Sequence, residues 1–204
     1  MVTNESNQPI ITVFERYATL AAYCDQWFAN VVGEYQTQMR CAQGCALCCR
    51  LETVVPLEAA LIAAYVEALP PQHAVKDDFS ADECVFLASD ATCAIYPVRP
   101  LICRTHGMPL QYPDREERDA CPLNFSDIPL EQIAPQYVLS IEPVTVNLLR
   151  LNLALCMSAG NADAAGERIY LRDILVRANP LPSHILHVIE SNRRLFQHVL
   201  KAFV

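Results

Sequence analysis

Glycine is scarce in this chain, five among 204 residues, and there is a single tryptophan. No phosphate loop, GxGxxG fingerprint, nucleophile elbow or HExxH motif occurs, so neither a nucleotide site nor a hydrolase site is expected. Basic residues are outnumbered, 15 Lys and Arg against 23 Asp and Glu, for a net charge of −8. That balance argues against broad nucleic-acid binding and against an anionic membrane surface. No window approaches 18 consecutive apolar residues, so no membrane-spanning helix is expected. The start, Met1-Val2-Thr3-Asn4-Glu5-Ser6, lacks a basic stretch followed by an apolar one. No secretory signal is therefore expected, and the cytoplasm is the default location. The rest is globular in composition, 52% hydrophobic and 19% charged. A single domain over residues 1–204 is expected, with a core large enough to fold without a metal.

Cysteine is the exception to this sparseness. Four thiols, Cys41, Cys45, Cys48 and Cys49, sit inside nine residues, and Cys84, Cys93, Cys103 and Cys121 follow. Crowded thiolates repel and exposed thiols oxidise unless something binds the sulfurs. The natural partner is a thiophilic metal ion or an iron–sulfur cluster. A disulfide framework fits the count of ten, but no secretory signal accompanies it and adjacent Cys48-Cys49 suits it poorly.

Cys45-x2-Cys48 lets two ligands of one turn face the same ion, and Cys41-x3-Cys45 can do so on a looser turn. The neighbours Cys48 and Cys49 point apart. They suit two metals, or one metal beside a structural thiol. Eight thiols are enough for two four-thiolate sites, or for a cubane cluster and a second site. Cys41-x3-Cys45-x2-Cys48 also has the spacing of the radical S-adenosylmethionine triad. The chain is short for that barrel and lacks alternating strands and helices.

The pattern along the chain predicts a mainly α protein. Residues 10–40 read as one helix with Val13, Tyr17, Leu20, Ala21, Cys24, Trp27, Phe28, Val31 and Tyr35 on an apolar stripe. Cys24 and Trp27 are expected in the core. A second helix opens at Pro56 and ends at Pro70-Pro71. Residues 72–83 read as a loop. Cys84–Leu87 and Thr92–Tyr96 read as strands of one small hairpin that brings Cys84 near Cys93, with Tyr96 packing on it. Pro97 and Pro100 impose a bend before Cys103. Residues 105–123 read as a charged loop, and Asp114–Asp119 as solvated. Helices are predicted over residues 143–157, 166–178 and 182–203, with Ser183 as a cap of the last. The expected architecture is a helical scaffold, with flanks at 1–40 and 123–204, around a cysteine-rich region of loops and one hairpin at 41–121.

Several residues near the thiols are candidates for supporting roles. Arg99 and Arg104 could balance the negative charge of a thiolate site and donate to sulfur, or form ordinary ion pairs with Asp or Glu. His106 could bind an open metal position or be an exposed loop residue. His184 and His187, three apart on the last helix, fit a partly exposed helix face better than a ligand pair.

The order Cys41-x3-Cys45-x2-Cys48-Cys49, Cys84-Val85-Phe86-Leu87, Cys93-Ala94-Ile95-Tyr96, Arg99-Pro100, Cys103-Arg104 and Cys121 resembles the YkgJ-type cysteine-cluster family. That family is a zinc- or iron-chelating domain named for its CxxCxxCC motif. The first spacing here is three residues where the family's name has two. The resemblance implies a metal centre on eight cysteines, Cys41, Cys45, Cys48, Cys49, Cys84, Cys93, Cys103 and Cys121, holding zinc or iron, an iron–sulfur cluster included. Some larger proteins with such a domain resemble lysine N-methylases acting on flagellin. The expected function is metal binding, with a protein partner on the helical surface. The alternative is a metal- or cluster-dependent enzyme or a redox sensor.

Overall fold

The computed structural model describes residues 8–68, 83–176, 183–191 and 193–203. The first helix, α1, runs Gln8–Glu34. Its stripe of Val13, Phe14, Tyr17, Ala21, Cys24, Trp27 and Val31 is buried, as the three- and four-residue spacing requires. The helix stops six residues short of the expected end. Tyr35 instead packs edge-on against Phe125 and Tyr137, with ring centroids 5.6 and 5.4 Å away. A 3-10 turn at Gln36–Gln38 follows, and the Phe125 N–H donates to the Gln38 carbonyl at 3.0 Å. Contacts with the segment after Cys121 therefore turn the chain out of the helix and into the cysteine loop.

Helix α2, Pro56–Ala68, is the centre of the molecule and is buried on nearly every side. Its expected stop at Pro70-Pro71, and all but the last residue of the loop at 72–83, lie outside the described residues. Asn152, fully buried on the helix Ile141–Ser158, accepts from the Leu57 N–H at 2.9 Å. Its amide donates to the Ala165 carbonyl at 2.9 Å. One side chain thus satisfies an orphan donor at the start of α2 and ties two more segments to it. Glu58 does similar work from α2. It is 5% exposed and accepts from Tyr17 Oη at 3.1 Å and from the Leu101 N–H at 2.9 Å.

Burial pushes the Glu58 carboxyl above its ordinary range. A raised carboxyl contributes fully below its unfolded value of about 4.3, and the contribution fades as pH rises through the folded value. Glu58→Gln is therefore expected to gain on the parent as pH rises from 4 to 7 in urea unfolding. Glu58→Ala, which leaves both donors unpaired, is expected to cost about 1–3 kcal/mol.

Two strand pairs hold the remaining segments. Strand β1, Thr53–Val54, pairs antiparallel with β4, Ile169–Tyr170, in the register Thr53 to Tyr170. Strand β2, Leu110–Gln111, pairs in parallel with β3, Leu139–Ser140. The expected hairpin is reduced to one bridge between Leu87 and Cys93, closed by Ala88 N–H to Thr92 O at 2.8 Å. Turns at both ends and the 3-10 turn Tyr96–Val98 leave no room for longer strands. A short helix that the sequence pattern did not reveal, α3 at Leu101–Thr105, carries Cys103.

The C-terminal half is helical, as expected. Helix α4 is Ile141–Ser158, α5 Leu171–Leu175, α6 Ser183–Ser191 and α7 Arg193–Leu200. The helix expected from residue 166 starts at Leu171 because Ile169–Tyr170 is taken by β4. The helix expected over 182–203 is seen as α6 and α7 on either side of residue 192, which lies outside the described residues. Helix α4 buries Val144, Leu155 and Cys156 but leaves Val146, Leu149, Leu153 and Met157 exposed along its other face. Among the described residues no helix is long and apolar enough to cross a membrane.

Candidate metal centre

The segment from Cys41 to Cys49 is a chain of tight turns. Cys45 N–H donates to Ala42 O at 3.0 Å, and Cys49 N–H to Ala46 O at 2.9 Å. Gly44 has φ +90, a conformation that disfavours any side chain. The other thiols come from three further places. The Cys84 N–H donates to the Cys49 carbonyl at 2.8 Å, which joins the first loop to the second. Cys93 sits opposite Leu87 in the single bridge, and Cys103 is on α3. Cys121 approaches from the end of the charged loop, its N–H donating to Gly107 O at 3.4 Å.

Gly107 and Asn124 build the surroundings of Cys41, and sequence reasoning missed both. Gly107 has φ +87, and a Cβ there would lie 3.2 Å from Cys41 Sγ and 3.7 Å from Cys121 Cβ. Asn124 is buried, accepts from the Arg40 N–H at 2.8 Å, and donates to Gly107 O at 2.7 Å and to Cys41 Sγ at 3.1 Å. An N–H aimed at sulfur favours its thiolate. The available signal was the Cys121-x2-Asn124 spacing, since the Asn124 N–H closes a turn on Cys121 O at 2.9 Å. Asn124→Leu is expected to cost about 1–3 kcal/mol in urea unfolding. It should also shift the pH dependence of Cys41 alkylation upward, because the bond favouring the thiolate is gone.

All ten cysteines are free thiols. Cys24 and Cys156 are fully buried in the core, as expected for Cys24, and burial pushes Cys24 up to about 11. The clustered thiols perturb one another. Burial, with the neighbouring Cys121, Cys45 and Cys48, pushes Cys41 up against the opposing Asn124 bond. Burial, then Cys84, Glu58 and Cys93, pushes Cys103 up strongly. Cys48 donates to the Cys49 sulfur, which holds Cys49 down and pushes Cys48 up.

Among the described residues, no three Cys, His, Asp or Glu side chains are arranged as they stand to hold an ion. The chemistry of the donor set does fit a thiophilic cation. Soft, unpaired thiols face one another, and the mutual charge that opposes their ionisation is what a bound cation relieves.

Arg99 and Arg104 point their bonds elsewhere. Arg99 donates to Asp25 Oδ1 at 2.7 Å and to Tyr96 O at 2.9 Å. Arg104, 2% exposed, donates to Asp25 Oδ2, to Arg99 O at 3.0 Å and to Pro97 O at 2.7 Å. The pair clamps the Cys93–Cys103 segment onto α1 through a buried guanidinium. The Arg99 charge still reaches Cys93 and favours its thiolate, though burial dominates there. Tyr96, expected to pack on the hairpin, is instead exposed beneath the Arg99 guanidinium at 4.0 Å. His106 is exposed at the end of α3, and His187 is exposed on α6. The side chain of His184 lies outside the described positions. Residues 113–117 and 119 of the charged loop are exposed.

The fold and the thiols define a class: a cysteine-rich region of turns and one short helix set into a helical scaffold. Residues 40–122 match the family model CxxCxxCC, described as a putative zinc- or iron-chelating domain. The match covers all eight clustered cysteines and about two-fifths of the chain. No curated protein and no solved structure matches the chain.

Proposed function

We propose that this is a cytoplasmic metal-binding protein whose eight clustered cysteines hold zinc or an iron or iron–sulfur centre. The supporting observation is long-range convergence. Cys49 is within electrostatic reach of Cys93, Cys84 and Cys103, residues 35 to 54 positions away in sequence. A zinc ion would supply a charged crosslink there, and a cluster would supply one-electron chemistry. The chain's own residues would hold it, with Asn124 donating to Cys41 and Arg99 adding positive charge beside Cys93. A protein partner belongs to this reading. The exposed apolar face of α4 is the surface that supports it.

The enzyme reading draws on one feature. A groove of about 460 Å³ beside α3 is lined by Leu101, Thr105, His106, Glu142 and Arg168. Apolar walls with a few polar groups suit a small molecule.

The test is iron, zinc and acid-labile sulfide per chain, on protein purified without oxygen or added metal. Zinc without sulfide supports a chelating domain with a structural role. Iron with matching sulfide supports a cluster and moves weight to electron transfer, sensing or enzymology. Folded protein with neither metal sinks the proposal.

A further inference from the structure

The eight thiols are not one crowd. Cys41 and Cys121 both crowd the position where Gly107 lacks a Cβ, at 3.2 and 3.7 Å. Asn124 stitches the same corner together, bonding Cys41 Sγ through its side chain and Cys121 O through its backbone. Cys45 is brought to Cys41 by the tight turn on Ala42 O. Cys121, Cys45 and Cys48 are all within electrostatic reach of Cys41.

A second neighbourhood surrounds Cys49. Cys84 is tied to it by the 2.8 Å backbone bond, and the Leu87–Cys93 bridge folds Cys93 back over Cys84. Cys103 on α3 is within reach of Cys84 and Cys93. This group already has four thiols without Cys48. Cys48 touches both groups, because it also lies beside Cys49 and within reach of Cys103. Only the first group is short of a fourth ligand. Cys48 and Cys49 stand side by side, sulfur to sulfur, so the Cys48–Cys49 peptide is the place where the chain can pass from one site to the other.

Resting on the metal-binding reading above, we infer that the eight cysteines form two separate four-thiolate sites. Cys41, Cys45, Cys48 and Cys121 make one, and Cys49, Cys84, Cys93 and Cys103 make the other. The two sites differ in access. The first holds both exposed thiols of the cluster, Cys41 and Cys48, and the second holds none. The first site is therefore the one that exchanges metal with solvent, and the second retains it longer.

The experiment adds Co2+ alone to reduced, metal-free, full-length protein and follows thiolate-to-cobalt absorption. Alkylation with mass spectrometry then reads which cysteines are protected. Two Co2+ per chain are expected. A chelator pulse that removes one of them should expose Cys41, Cys45, Cys48 and Cys121 together while the other four stay protected. Cys121→Ser and Cys84→Ser should each halve the bound cobalt, and the double variant should bind none. Because the protection pattern is read on the unmutated protein, a variant that fails to fold leaves the test intact. A single Co2+ per chain, or release that exposes a mixture from both groups, overturns the partition while metal binding stands. Folded protein that binds no Co2+ overturns both.

Discussion

Metal-loaded protein stripped by a chelator is expected to lose roughly 10 °C in its unfolding midpoint while keeping its helical circular dichroism. A ligand present at a thousand times its Kd stabilises the native state by about 4 kcal/mol. For a domain of this size each kcal/mol moves the midpoint by about 2–4 °C. The helices survive because their core does not depend on the thiols. Phe14, Tyr17, Leu57, Leu61, Ile62, Leu155 and Leu171 are all under 2% exposed and pack α1, α2, α4 and α5. Calorimetry and the 222 nm signal, recorded before and after stripping, check this. Collapse of the helical signal would show that the metal supports the whole fold. An unchanged midpoint would show that no metal was bound in the native state.

Asp25→Ala is the single substitution expected to damage the scaffold most. It removes the carboxylate that both Arg99 and Arg104 use and leaves the 2% exposed Arg104 guanidinium without its ion-pair partner. Breaking a buried pair on one side costs about 3–5 kcal/mol. The low end applies here, because Asp25 is itself 39% exposed and Arg104 keeps its bonds to Arg99 O and Pro97 O. Asp25→Asn, which retains an acceptor, should cost less than half as much in urea unfolding. The larger loss should fall on the Cys93–Cys103 segment, read as faster amide exchange there than in α2. A cost under about 1 kcal/mol for Asp25→Ala would show that this clamp does not hold α3 to α1.

The stripe from Val13 to Val31 told of a buried helix because helical periodicity is local, and so did the Pro56 start of α2. The same reading overran α1 by six residues, since Tyr35 leaves the helix for Phe125 and Tyr137, which lie far along the chain. It also took residues 84–96 for two strands. Two short apolar runs flank a turn, but turns at both ends allow one rung. The helix at 143–157 was legible from its apolar run, but which of its faces is exposed was decided by packing.

The sequence by itself determined the helical class and the kind of chemistry. Residue type and short spacing carry both, and eight clustered thiols favour soft cations wherever they sit in space. Tertiary structure alone decided which thiols are neighbours and what surrounds them. Asn124 reaches Cys41 across 83 positions, and Arg104 reaches Asp25 across 79. Those relations depend on how α1, α2 and α3 pack, and a local pattern holds no information about packing partners so far away.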